Sequence, residues 1–347
     1  AWPRASCASP TCSATSSPEP WPAILPPVFQ LDASATAAQL AFDALIPALR
    51  EAFARGAEVP LRHTHTLADP ADPHGPGGTV LLMPAWRPGG LFGLKTVMIF
   101  PANGARGLPG LHSLYTLFDA RTGVPLAQLD GNEITSRRTA AASALAASLL
   151  AREDSARLLV LGCGRVARLL PEAMRCVRPI ARVRVWNHRR EGAAALAREW
   201  REQGVADAQP VTDLAAAVAE ADIVSCATLA SAPLVRGAWL RPGTHLDLIG
   251  SFTPRMRECD AECFARSRVF VDTEEALAKS GDVLGAVAEG AFDAARLQGT
   301  LAQLVRGERR GRRGRESGDE ITLFKAVGSA LEDLAAAELA AAAMLTR

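Results

Sequence analysis

"LLVLGCGRVARLLPEAMRCVRPIARVRVWNHRR" (Leu158–Arg190) is the stretch that decides the fold. An apolar run enters Gly162 and Gly164, a helical segment follows from Arg165, and a second apolar run closes at Asn187. Two glycines directly after a strand and before a helix, with Ala167 in the third small position, make the G-x-G-x-x-A form of the dinucleotide fingerprint. Gly162 permits the tight turn, Gly164 removes a Cβ that would block a pyrophosphate, and Ala167 lets helix and strand pack closely. An anion there meets unpaired N–H groups and the positive end of the helix dipole.

The tip of the second strand separates two versions of such a site. An Asp or Glu there accepts hydrogen bonds from the ribose hydroxyls of NAD(H) and repels a 2′-phosphate. Here the tip is Asn187-His188-Arg189-Arg190, one neutral amide followed by donors suited to phosphate. The tip therefore predicts NADPH/NADP, with NADH/NAD as the alternative. At least one of the arginines is expected simply to face solvent on the following helix.

Outward from this unit the pattern continues as strand, helix, strand through "ADIVSCAT" and "THLDLIG", which argues for a parallel sheet covered by helices. Upstream, apolar positions from Asp32 to Ala54 recur at helical spacing, with Asp32 or Ser34 as cap. "TVLLMPAW", "LFGLKTVMIF", "LHSLYTLFDA" and "RTGVPLAQLDG" then read as a small, mainly antiparallel sheet. "EITSRRTAAASALAASLLA" reads as a long Ala-rich helix, and "EITLFKAVGSALEDLAAAELAAAAML" as one final helix returning to the first unit.

Composition sets the outer limits. The chain has 347 residues and a formal net charge of +1, so nothing points to nucleic acid or acidic partners. Seven cysteines, irregularly spaced and without a CxxC pair, suit reduced thiols in a cytoplasmic protein and predict no metal site. No apolar run is long enough to span a membrane. Residues 1–27 read as a disordered tail, and "RGERRGRRGRE" from Arg306 as a solvated loop rather than a phosphate patch.

Three basic residues stand out in the N-terminal half. Lys95 lies inside the apolar run "LFGLKTVMIF", where burial is costly unless it meets an anion or loses its proton. Arg62 sits in "VPLRHTHTL" and Arg138 in "SRRTAA". Spacing alone does not bring the three together.

"GLKTV", "LYTLFDARTGVPLAQLDGNEITSRRTAAASALAA", "LVLGCGRVA", "VRVWNHRR", "CATLASAPLV", "LIGSFTPRMRECD" and "GDEITLFKAVGSALEDLAAA" occur in that order. Together they closely resemble the ornithine cyclodeaminase/mu-crystallin family, from about Leu31 to the C-terminus. The resemblance implies an α/β fold: a Rossmann-type parallel sheet domain (137–317) inserted between two parts (28–136 and 318–347) of an α+β substrate-binding and dimerisation domain. It implies a homodimer acting on a small molecule. Arg62 matches the family's carboxylate-binding arginine, Lys95 its active-site lysine, and Arg138 the arginine of its RTAA block, with Thr139 beside the cofactor. His112 falls where mu-crystallin-like members place a histidine near the cofactor, although its context equally suits a sheet histidine. Cofactor contacts are expected from Gly162, Cys163, Gly164, Arg165, Val166 and Ala167, from Asn187, His188 and Arg189, and from Ala227, Thr228 and Ile249.

The family divides by chemistry, and one departure here bears on that. Cyclodeaminases carry an aspartate soon after the fifth strand, facing the substrate amine; this sequence has Phe252 at that point. Glu258 and Asp260 lie several residues too far along to replace it. The missing acid and the basic tip both imply NADPH-dependent reduction of a cyclic imino acid, Δ1-pyrroline-2-carboxylate or Δ1-piperideine-2-carboxylate, to proline or pipecolate. Ornithine cyclodeamination to proline and ammonia is the alternative. A non-catalytic NADPH or small-ligand binding role is the alternative of another class.

Overall fold

The structure is a computed structural model and describes residues 28–68, 77–308 and 315–345. The expected tail over 1–27 and most of the basic run lie outside these residues.

Strands β1 (Phe29–Leu31), β2 (His63–Leu67), β3 (Gly78–Trp86), β4 (Leu91–Ile99), β5 (Leu111–Asp119) and β6 (Pro125–Asp130) form one sheet in the order β1-β6-β5-β4-β3-β2. It is antiparallel except where β1 joins β6 in parallel. Strands β7 (Arg157–Leu161), β8 (Arg182–Trp186), β9 (Asp207–Pro210), β10 (Ile223–Cys226), β11 (His245–Leu248), β12 (Arg268–Val271), β13 (Gly299–Thr300) and β14 (Thr322–Lys325) form a second, wholly parallel sheet. Its order, β13-β12-β14-β11-β10-β7-β8-β9, contains the Rossmann arrangement, with the reversal of direction between β7 and β10.

The helices are α1 (Ala33–Gln39), α2 (Phe42–Arg55), α3 (Gly131–Leu150), α4 (Arg165–Arg175), α5 (Arg190–Glu202), α6 (Leu214–Glu220), α7 (Ala261–Ala265), α8 (Glu275–Lys279), α9 (Gly281–Ala288), α10 (Leu301–Arg306) and α11 (Ala330–Leu345). Asp32 caps α1 as expected, but the expected first helix is two, broken at Leu40 and Ala41, whose backbones leave the helical region.

α3 is the spine joining the two sheets. Asp130 caps it by accepting the Glu133 N–H at 2.7 Å. Alanines 140, 141, 142, 144, 146 and 147 are all buried, so the middle of the helix is enclosed on every side and its neighbours approach closely. Burying one leucine of its core, such as Leu145, contributes about 1.5–3 kcal/mol.

Three expectations need correction. The stretch from Glu320, read as one helix, opens as β14, paired with both β11 and β12, and becomes helical only at Ala330. Gly328, at φ +80°, makes the break, because no continuous right-handed helix passes through that conformation. The division expected at 317/318 therefore leaves a central strand of the parallel sheet on the wrong side. That at 136/137 cuts through the rigid α3. Lastly, Arg315 is no solvated residue: it donates to Leu150 O at 2.8 Å and Gly243 O at 3.1 Å, stapling the end of α3 to the parallel sheet.

The first sheet has two unlike faces. Met83, Ala85, Lys95, Tyr115, Leu117, Ala127 and Leu129 point inward to α2, α3 and α11. The outer face carries Val80, Leu82, Leu94, Met98 and Leu114 beside an aromatic row, Trp86, Phe92 and Phe118. Leu114 is 45% exposed there.

Candidate active site

Because α3 and α11 both pack on the inner face of the first sheet, residues far apart in sequence meet at the start of α11. Lys95, in the middle of β4, is 2% exposed. Its Nζ lies 2.7 Å from Asp333 Oδ2 and donates to Thr135 Oγ1 at 3.1 Å. The Thr135 hydroxyl donates in turn to Gly131 O at 2.8 Å, which leaves its lone pairs to the lysine. Arg138, one helical turn beyond Thr135, donates through Nε to Asp333 Oδ1 at 2.9 Å and through Nη1 to Glu332 Oε2 at 2.8 Å. Arg62 reaches the same corner from the loop before β2, donating to Gly328 O at 3.0 Å and lying 3.9 Å from Glu275 Oε2. Gly328 has to be glycine for a second reason: a Cβ there would sit 2.7 Å from both Nη atoms of Arg138.

Burial lowers the Lys95 pKa to about 8, with Asp333 opposing the shift and Arg138 adding to it. Burial also raises Asp333, but Lys95 and Arg138 outweigh it and hold this carboxyl below its ordinary value. Burial pushes Glu332 up to about 7 against the pull of Arg138, and its Oε1 has no hydrogen-bond partner among the described residues. The cluster is thus one firm carboxylate, one soft one, a fixed guanidinium and a lysine poised near neutrality.

The sequence reading brought forward Arg62, Lys95 and Arg138, and the fold gathers all three. It missed Asp333 and Glu332, although an Glu-Asp pair inside an otherwise Ala/Leu helix is a signal of paired burial. Arg138 is also less free than expected, since two donor atoms are spent on these acids. His112 does not join them. It pairs in register with Met98, so it stands on the outer face of the sheet, exposed, opposite to Lys95.

The second pole lies where β7 and β10 diverge. Gly162 has φ +107°, and a Cβ there would be 2.5 Å from Ala227 O, so only glycine fits. Gly164 is the N-cap of α4, and a Cβ on it would meet nothing within 4 Å. That open space lies before the first-turn N–H groups of Arg165, Val166 and Ala167, a cradle suited to a pyrophosphate. Cys163 is half-buried beside it, and burial raises its thiol pKa. At the strand tip the Asn187 side chain donates to Arg189 O at 3.2 Å, and Arg189 Nε donates to His188 Nε2 at 3.3 Å. His188, Arg189 and Arg190 are exposed, and none pairs with a carboxylate among the described residues. The residues present therefore fit a nicotinamide dinucleotide.

On the other side, Ile249 is buried and its N–H donates to Cys226 O at 2.8 Å. The Thr139 hydroxyl donates to Thr135 O at 2.6 Å, turned back into its own helix. Thr228, expected among the cofactor contacts, donates its N–H and hydroxyl to Glu258 Oε1, at 2.7 and 2.8 Å. Burial raises the Glu258 pKa, while Lys325 and the two Thr228 donors oppose it by favouring the ionised form. Phe252, after β11, is 44% exposed.

A sequence model of the ornithine cyclodeaminase/mu-crystallin family matches residues 29–345. The Δ1-pyrroline-2-carboxylate reductase of Paracoccus denitrificans is 45% identical over 271 residues, 78% of this chain and 84% of its own length. Among solved structures, the Δ1-pyrroline-2-carboxylate reductase of Thermococcus litoralis in complex with NADH and L-proline is similar, with a TM-score of 0.83 and 33% identity. That match covers 92% of this chain and 98% of the other. An archaeal alanine dehydrogenase dimer with bound NAD matches at a TM-score of 0.82 and 29% identity, covering 92% and 96%.

The lysine supplies a pH test. Its folded-state pKa, about 8, lies below the unfolded value of 10.5, so between these limits the unfolded chain binds more protons. The Lys95 contribution to stability is therefore unfavourable below pH 8 and is relieved as pH rises toward 10.5. Urea unfolding of the wild type and Lys95→Met at pH 8 and pH 10 is expected to show the wild type gaining stability relative to the variant at the higher pH. Parallel pH dependences would remove the burial argument.

Proposed function

The chain belongs to the ornithine cyclodeaminase/mu-crystallin family, and on that premise we propose that it is a reductase of C=N bonds. It reduces a cyclic imino acid, Δ1-pyrroline-2-carboxylate or its six-membered homologue, to proline or pipecolate with a nicotinamide dinucleotide. The observation that carries this reading is the convergence of Lys95, Arg138 and Arg62 on one corner, in a chain that also has a dinucleotide cradle at the switch point of its parallel sheet and is similar to reductases of this substrate.

When bound, the dinucleotide supplies the hydride. Everything else falls to the chain's own residues. Arg62, with the Nη2 of Arg138, holds the substrate carboxylate, which fixes the ring against one face of the site. Lys95 Nζ–H gives its proton to the imine nitrogen as the carbon accepts the hydride, so the product amine carries one new N–H and one new C–H. A lysine near pKa 8 is charged at neutral pH yet gives up its proton readily. Asp333 keeps that ammonium oriented through its 2.7 Å contact. His112, on the opposite face of the sheet, takes no part in this step.

The direct test measures NADPH and NADH oxidation with each cyclic imine, alongside dinucleotide reduction with ornithine. Turnover of an imine and none of ornithine is expected. Ammonia release from ornithine would make the chain a cyclodeaminase, and stoichiometric dinucleotide binding without turnover would make it a binding protein.

The phosphorylated dinucleotide is the preferred one in this reading, supported by the acid-free tip at Asn187 and by Arg189 and Arg190, which pair with no carboxylate among the described residues. Asn187→Asp places a carboxylate against the 2′-phosphate and is expected to lower kcat/KM for NADPH about tenfold or more while leaving NADH unharmed. Equal changes for the two would assign the tip no role in the choice.

The functional unit is a dimer in which a second copy covers the apolar outer face of the first sheet, a face too extensive to leave in water. Leu114→Glu on that face is expected to shift the mass in light scattering from dimer to monomer. A monomeric wild type would refute the arrangement.

A further inference from the structure

Glu258 lies beneath the loops that follow β10 and β11, on one side of the switch point, and nothing in the sequence reading gave it work. It is fully buried. Its Oε1 accepts the Thr228 N–H at 2.7 Å and the Thr228 hydroxyl at 2.8 Å, and its Oε2 accepts the Gly250 N–H at 2.6 Å. Thr228 follows β10 and Gly250 follows β11, so one carboxyl group ties the C-terminal ends of two neighbouring strands. Gly250 is glycine because a Cβ there would stand 2.3 Å from the Glu258 carboxyl.

The clamp is itself anchored from three directions. Asp282 Oδ1, at the start of α9, accepts the Glu258 N–H at 2.7 Å and the Cys259 N–H at 3.2 Å. Ser251 Oγ accepts the Asp282 N–H at 2.9 Å, linking the loop after β11 back to α9. Lys325, at the end of β14, donates to Leu248 O at 3.1 Å and lies 3.6 Å from Asp282 Oδ2. A buried acid with this many fixed partners does not move, and neither do the loops it holds.

We propose that Glu258 is a positioning residue for the nicotinamide half of the dinucleotide, fixing the loops after β10 and β11 without touching the cofactor. This rests on the dinucleotide reading above. In a sheet of this order the two halves of a dinucleotide lie on either side of the switch point. The β7–β8–β9 side, with its glycine turn and basic tip, takes the adenosine half, and the β10–β11–β14 side takes the nicotinamide half. The Thr228 donors are consumed by Glu258, so this loop presents a fixed backbone to the site rather than a free hydroxyl. Only a side chain with two acceptor oxygens satisfies both loops; a glutamine would aim an NH2 at one of two N–H groups.

The test separates the two halves of the ligand. NADPH and NADH are titrated by fluorescence into wild type and Glu258→Gln, and the matching fragments without nicotinamide, 2′-phospho-ADP-ribose and ADP-ribose, by calorimetry. The dinucleotide Kd is expected to rise about tenfold in the variant, with fragment Kd values within about twofold of wild type. Thr228→Val removes one of the three hydrogen bonds, leaves the carboxyl in place, and is expected to act selectively in the same direction with smaller size. It also carries the test if Glu258→Gln does not fold. Fragment binding weakened as much as dinucleotide binding, or neither weakened, overturns the proposal. A wild type that binds neither ligand removes the dinucleotide reading itself, whereas a wild type that binds both, with variants indistinguishable from it, removes only the role of Glu258.

Discussion

A lysine and an arginine cannot remain charged inside a protein without carboxylates to meet them, and this requirement organises the molecule. An unpaired buried ion costs several kcal/mol even after relaxation, of the order of a domain's whole stability. Lys95 comes from β4 and Arg138 from α3, and the acids that meet them, Glu332 and Asp333, come from α11 at the far end of the chain. The last helix therefore has to leave the parallel sheet and lie against the first one. Gly328 is the joint that lets it do so, since its positive φ turns the chain out of β14 and its missing side chain leaves room for Arg138.

A second constraint, of backbone rather than charge, sets the other pole. The strands β7 and β10 are neighbours whose following segments diverge, and Gly162 is pressed against Ala227 O where they part. The crevice opens there because of strand order alone. What the sequence adds is a lining of N–H groups on one side and an anchored acid, Glu258, on the other. α3 links the poles: Thr135 and Arg138 serve the charged corner, while Ser143, two turns along, donates to Asp247 of β11 at 3.0 Å.

The parts of this that were legible in the sequence are the local ones. The glycine turn is a matter of three residues and the strand before them, and the antiparallel strands alternate clearly enough to be read. "ITLFK" was misread because a short apolar run does not distinguish strand from helix, and only pairing with β11 and β12 decides it. Lys95 announced itself by the cost of its surroundings, yet Asp333 did not, because the pairing spans the whole chain. His112 could not be assigned a face without the register of β5 against β4. Glu258 was weighed only as a substitute for a missing catalytic acid, and its actual partners are backbone donors that leave no mark in a sequence.

The distribution of acids around the site also bears on what it accepts. A substrate with a second, cationic amine requires an exposed carboxylate within reach. Among the described residues the acids close to the site are engaged: Asp333 by Lys95 and Arg138, Glu332 by Arg138 through Oε2, Asp272 by the Val327 and Gly328 N–H groups, Glu258 by the two loops, and Glu275 by Lys279. At the position after β11 where the cyclodeaminases' acid is expected, the exposed group is the ring of Phe252. The donors left over, on Arg62 and Arg138, are positive. A ligand with one carboxylate and an otherwise apolar ring satisfies such a surface, while a diamino acid brings a charge that meets no unpaired carboxylate group there among the described residues. The same pairing that makes it tolerable to bury Lys95 thus strips the site of free negative charge, so that the requirement of the fold and the selectivity of the proposed reaction have one physical cause.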